Sequence, residues 1–386
     1  MAVQLAFHDL SYVDDGDEVV VGRRDIDSYG VFPPDGAALV RKLANGMEPA
    51  AAAAWYQDTY GTAVDMTDLI DTLRELRLLR EHDEPDPRPV RWQRLGRWLF
   101  SPAAWVVYAC LVVVAIAVCV ARPGLIPHRG NIFFTDYLVV IEVTLLLGQV
   151  PLTLLHEWFH VMAGRRLGLR SKVGLGWRMY FVVFETSLDG LVSVPRRSRY
   201  LPMLAGMLMD LLVMSALTVL AYLTWDSLLA KVCLAFAFTT FLRITWQFYF
   251  FLRTDVYYLV TTVLGCVDLQ TTTREMLRNR VNAVLGRPLT SEAHWHPRDR
   301  AVARWYLPLH VAGYAFMIAL LVTVLLPMTW QFLGNAGHTL LSDDVPPARV
   351  ADAAIVLTTA VAQFALAGYL ALRARRNRAT SAQEES

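Results

Sequence analysis

The chain has 386 residues, is 55% hydrophobic and carries a net charge of +1. Several apolar runs approach the roughly 20 residues that cross a bilayer, so composition predicts a polytopic membrane protein. The near-neutral charge points to no acidic partner, and no nucleic-acid signature is present.

Residues 1 to about 85 read as a small cytoplasmic domain. "AVQLAFHDL", "EVVVGRR" and "SYGVFP" are expected to be short strands, with turns at "DDGD" and "PPDG". Pro34, Asp35 and Gly36 open a first helix that ends at Gly46, and a second runs from Pro49 and stops at Gly61. The third, "DMTDLIDTLRELRLL", repeats Met66, Leu69, Ile70, Leu73, Leu76 and Leu79 at helical spacing. Three strands and three helices of this size make an α+β, winged-helix-like unit. Its acidic residues, among them Asp14, Asp15, Asp17, Glu18, Asp65, Asp68, Asp71 and Glu75, argue against nucleic acid as a partner. The N-terminus is too acidic and polar for a signal peptide. A charged, proline-rich linker covers residues 86–100, beginning within "EHDEPDPRPVR".

From residue 101 to about 380 the chain is membrane-embedded and α-helical. Spans are expected near 103–121, 137–163, 201–223, 228–252, 305–327 and 349–372. Arginines precede the first span, crowd the connections between spans two and three and between four and five, and follow span six. By the positive-inside rule both termini are cytoplasmic. The bias to Arg over Lys fits a high-GC bacterial genome, so the expected location is the bacterial cytoplasmic membrane. Cys110, Cys119, Cys233 and Cys266 show no metal-binding spacing.

Span two carries "LLHEWFHVMAGRR". In HExxH, His156 and His160 stand four residues apart on one helix face, the spacing at which two imidazoles reach one zinc ion. Glu157 is then placed to take a proton from zinc-bound water. An ionisable cluster inside a span is costly without a function. Glu142, Gln149 and Thr153 continue the stripe of His156 and suggest a hydrated path. A catalytic zinc ordinarily has three protein ligands. Asp255 in "FLRTDVYYLV" matches the depth of HExxH and is the first candidate. Asp210 in "LAGMLMDLLV" is the rival, and His294 and His296 of "HWH" are a third option. Glu142 lies fourteen residues before His156, and Arg243 twelve before Asp255. Helical rise puts both roughly 20 Å from the metal level, so Arg243 is expected to neutralise Glu142.

"HEWFH" in one span, "LAGMLMD" in the next and an Asp motif in the one after resemble the site-2 protease family of intramembrane zinc metalloproteases, over about residues 135–270. The resemblance implies that His156, His160 and Asp255 bind one zinc ion and that Glu157 is the general base. The family's Asp is usually followed by Gly and often preceded by Asn-Pro. Here Val256 follows and Asn-Pro is missing, so the substrate-holding role falls to Arg253 or Gln247 as guesses. "GLGWRMYFVVFETSLDGLVSVP" is similar to the family's membrane-associated hairpin, whose edge can pair with an extended substrate.

The N-terminal domain resembles the PqqD-like fold, the recognition element of pathways that make ribosomally synthesised, modified peptides. That resemblance implies a precursor whose leader adds as a strand beside Asp27, Ser28, Tyr29, Gly30, Val31 and Phe32, against the helix bearing Leu69 and Leu73. The expected activity is leader removal by a zinc metalloendopeptidase, with peptide-modifying enzymes or an exporter as further partners. The alternatives are a regulatory site-2 protease that cleaves a membrane-bound factor, and a non-hydrolytic export or immunity protein that binds the peptide.

Overall fold

The structure, a computed structural model, describes residues 5–80, 90–178, 181–187, 189–249, 251–341 and 345–384. Residues 86–89 of the expected linker and the first residues of "AVQLAFHDL" fall outside these ranges.

The N-terminal sheet is an antiparallel meander of β1 (Ser11–Asp15), β2 (Glu18–Arg23) and β3 (Ser28–Phe32), in the order β1-β2-β3. The expected first strand was misplaced. Within "AVQLAFHDL", Phe7 makes only an isolated bridge to Leu79, and the first strand is the following "SYVDD". Gly16, at φ 77°, turns β1 into β2. "PPDG" is a helix entry rather than a turn, because Pro34 begins α1 (Pro34–Ala44); proline is suited to a first helical turn. Then come α2 (Pro49–Tyr60), ended by left-handed Gly61, and α3 (Met66–Glu75), whose first N–H groups are capped by Asp65. Val19, Val21, Phe32, Leu39, Val40, Leu43 and Leu73 form the core between sheet and helices.

The other sheet face has its own partner. Val13 and Val20 are cross-strand neighbours, buried, and outside that core. All three strands contact the short 3₁₀ turn Asp189–Ser193 of the membrane domain. Arg24 donates to the Ser193 carbonyl at 3.0 Å. Asp15 pairs with Arg196 and Arg199. The domain is therefore docked through a sheet face, which leaves β3 at the end of the sheet order.

In the membrane domain, α4 (Gln93–Leu99) leads into α5 (Pro102–Ala121) and α6 (Leu138–Arg166). The hairpin β4 (Lys172–Arg178) and β5 (Phe181–Ser187) packs on α6. It is followed by α7 (Arg196–Leu223), α8 (Leu228–Gln247), α9 (Asp255–Leu264) and α10 (Leu269–Val284). The remainder is α11 (Pro297–Leu320), a π turn, α12 (Leu326–Leu341) and α13 (Pro347–Glu384). Among the described residues, six helices are long and apolar enough to cross a membrane: Pro102–Ala121, Leu138–Arg166, Arg196–Leu223, Leu228–Gln247, Pro297–Thr323 and Pro347–Leu370. The expected span four is shorter than its apolar run. Helix α8 stops at Gln247, and the turns that follow hand the chain to the separate short helix α9.

Candidate metal centre

Helices α6, α7, α8 and α9 build the site. The four-residue repeat of α6 turns His156 and His160 to one side, and both are buried. Their Nε2 atoms stand 3.2 Å apart. Asp255 Oδ2 lies 3.3 Å from His156 Nε2 and 3.2 Å from His160 Nε2.

The outward nitrogens decide the tautomers. His160 Nδ1 lies 2.7 Å from the Pro202 carbonyl, which can only accept, so Nδ1 carries the proton. His156 Nδ1 lies 2.9 Å from Asp210 Oδ2 and donates to it in the same way. With Nδ1 so used, each ring can turn an Nε2 lone pair inward. Asp255 Oδ2 is buried and has no hydrogen-bond partner. Three potential ligand atoms thus face one another. A first-row divalent ion bonded at about 2.0–2.1 Å holds tetrahedral ligands about 3.3 Å apart, and the observed separations match that edge. The group His156, His160 and Asp255 is suited to hold a metal ion.

Room for the two rings comes from α7. A β-carbon on Gly206 would fall 2.5 Å from His156 Cε1 and closer still to both Nε2 atoms. No side chain could stand there without displacing both imidazoles. Pro202, Gly206 and Asp210 recur every fourth residue on one stripe of α7. That stripe supplies in turn a carbonyl for His160, the open volume, and a carboxylate for His156.

Asp210 is fully buried and is not among the three inward ligands. Arg243 Nε of α8 donates to its Oδ1 at 3.1 Å and Oδ2 at 3.0 Å. Arg243 Nη1 also donates to Gln149 Oε1 at 3.2 Å and Thr153 Oγ1 at 3.3 Å, and Gln149 donates to Thr239 at 2.6 Å. The polar stripe of α6 is therefore used to hold the arginine that holds Asp210. A carboxylate–histidine pair of this kind orients a ligand ring and raises its basicity.

Asp255 is the first residue of α9, where a carboxylate suits the positive end of a helix. Its N–H donates to Gln247 Oε1 at 3.1 Å, and the Thr254 hydroxyl donates to the Gln247 carbonyl at 2.8 Å. Gln247 thus ties the end of α8 to the start of α9. Glu157, one position after His156, is half-buried.

Several expected residues lie elsewhere. The Glu142–Arg243 pair is not formed. Glu142 accepts from Thr359 at 3.5 Å and Gln363 at 3.3 Å of α13, while Arg243 goes to Asp210. Counting helical rise back from Asp255 assumed one continuous helix, and the break after Gln247 brings Arg243 nearer the metal level. Arg253 donates to Gln270 at 2.7 Å and lies 3.4 Å from Asp268, so it serves the start of α10. His294 pairs with Glu275 at 3.0 Å, and His296 caps α11. In the N-terminal domain, Ser28–Phe32 form the end strand, with Asp27 in the turn before it at φ 54°. Leu73 is fully buried, and Leu69 is partly buried against the same core. Gly206 and Pro202 were not singled out from the sequence; their spacing from Asp210 is the signal that points to them.

Comparison with protein-family models, curated proteins and solved structures returned no match.

Proposed function

We propose that the chain is an intramembrane zinc metalloendopeptidase that captures a precursor peptide on its N-terminal domain and hydrolyses it at the His156, His160 and Asp255 centre. The observation that carries this reading is the convergence of three potential ligand atoms at 3.2–3.3 Å, with both imidazoles lying against Gly206. Bound zinc supplies Lewis acidity, which makes a water molecule acidic enough to yield hydroxide near neutral pH.

The chain's own residues do the rest. Asp210, steadied by Arg243, keeps the His156 ring turned with Nε2 inward. The Pro202 carbonyl does the same for His160. Glu157 accepts the proton of the attacking water and later delivers it to the leaving amine. A peptide must be extended to reach such a centre. Two strand edges are suited to it: β3, at the end of the N-terminal sheet, and the two-stranded hairpin packed on α6. Strand addition there uses main-chain hydrogen bonds and asks little of side-chain sequence. Binding the leader on a docked domain raises the local concentration of the scissile segment.

The test uses the full chain in lipid nanodiscs with a precursor peptide encoded beside its gene. Wild type is expected to hold one zinc and cut the precursor. Glu157→Gln is expected to hold zinc and leave the precursor intact. Maturation by Glu157→Gln at the wild-type rate would refute the hydrolytic mechanism.

A further inference from the structure

Asp15 ends β1 on the sheet face turned to the membrane domain. Its carboxylate is shared by two arginines in the first turn of α7. Oδ1 takes Arg196 Nε, and Oδ2 takes Arg199 Nη1 at 2.9 Å. The Asp15 carbonyl takes Arg196 Nη2 at 3.3 Å as well. Arg199 is buried, and its other donors go to the Val194 and Val192 carbonyls at 2.8 and 3.0 Å. It locks the turn before α7.

Arg196 reaches further. Its guanidinium lies over Gly265, where an added β-carbon would stand 2.9 Å from Nη1. Gly265, at φ 69°, is the left-handed cap that ends α9. A cation thus sits at the negative end of that helix, where it is favourable. Helix α9 has ten residues, so it is a rod of about 15 Å with Arg196 at one end and Asp255 at the other. Helix α7, which begins at Arg196, carries Gly206 and Asp210. One contact from the N-terminal domain therefore bears on both helices that complete the centre.

We propose that Asp15 and Arg196 are positioning residues of the metal centre: the docked N-terminal domain, through Arg196, seats α9 so that Asp255 stays against His156 and His160. The proposal rests on reading those three residues as metal ligands. It makes the N-terminal domain part of the construction of the site, so release of that domain loosens the ion.

The experiment uses the full chain in nanodiscs and compares wild type with Asp15→Ala, Arg196→Ala and the double variant. Zinc affinity is read by chelator competition, and hydrogen exchange is followed across residues 256–266. Exchange in β2 and α1 reports whether the N-terminal domain keeps its fold. Each single variant is expected to bind zinc about tenfold more weakly, the low end for groups outside the ligand shell, with faster exchange across 256–266. The double variant is expected to be no worse than the weaker single, because both act on one route. Asp15→Asn keeps the shape of the side chain and gives the same direction of change if Asp15→Ala disturbs the hairpin. Unchanged zinc affinity in both single variants would overturn the proposal, and so would additive losses in the double. A wild-type chain that takes up no zinc would remove the metal reading itself, and this proposal with it.

Discussion

Replacing Gly206 by alanine adds one methyl group at the place where the site has least room. Its carbon would lie 2.5 Å from His156 Cε1 and nearer to both Nε2 atoms, whereas carbon contacts settle at about 3.5–4.0 Å. Something must move by about 1 Å. Helix α7 is held there by the bond from His160 to the Pro202 carbonyl and by the Asp210–Arg243 pair, so the imidazoles are the parts that give way. Overpacking of this kind costs about 1–3 kcal/mol in the fold. The cost to metal binding is larger, because the methyl displaces two ligands at once. A loss of at least about 100-fold in zinc affinity is expected, equivalent to about 2.8 kcal/mol. Chelator competition on the purified chain measures it, and the thermal midpoint without metal separates it from unfolding. An alanine variant that keeps stoichiometric zinc at wild-type affinity would refute the placement of the ion between these nitrogens.

Asp210→Asn should weaken zinc binding by about 10–100-fold and leave Arg243 without its ionic partner; adding Arg243→Gln should recover part of any lost stability, since an unpaired, half-buried charge is removed. Glu142→Gln should leave zinc affinity unchanged, because Glu142 faces Thr359 and Gln363 of α13 rather than the centre. Leu73→Ala should destabilise the N-terminal domain by about 2–5 kcal/mol, read by denaturant melting, since Leu73 is fully enclosed in its core. Asp25 is held below its ordinary value mainly by the hydrogen bonds from Arg23. A lowered carboxylate stabilises above its unfolded value and loses that contribution as pH falls through the folded one. The Asp25→Asn chain should therefore be less stable than wild type at neutral pH, with the difference closing at acid pH below 3.8.

How much was legible in the sequence follows the range of the interactions involved. HExxH is local: two residues four apart on a helix share a face whatever packs against it. The choice of Asp255 over Asp210 could not be made that way, because matched depth says nothing about the rotation of a helix. What separates them is that α7 presents Gly206 at the ligand level and Asp210 one turn beyond. Arg243 was misjudged for a related reason, since an apolar run continues through Phe248, Tyr249 and Phe251 although the helix does not. "SYVDD" escaped notice as a strand because aspartates are depleted in strands, yet Asp15 is spent on Arg196 and Arg199 across the domain boundary. Only tertiary contact explains that residue.

Formal charge adds a further reason to expect an ion. Two carboxylates approach the imidazoles, Asp210 at Nδ1 of His156 and Asp255 at the two Nε2 atoms. Arg243 balances Asp210 at hydrogen-bond distance, whereas Asp255 Oδ2 accepts no hydrogen bond. The charge of Asp255 is therefore the one that a metal ion would balance. Asp210 could not take its place as a ligand without giving up either Arg243 or His156. The same arithmetic makes His156→Ala and Asp255→Ala unlike each other. Removing His156 leaves the charge unchanged and frees Asp210 from its ring partner. Removing Asp255 takes away the charge the ion would balance, so zinc affinity should fall further in Asp255→Ala than in His156→Ala. Equal losses, measured by the same chelator competition, would show that charge balance does not govern the site.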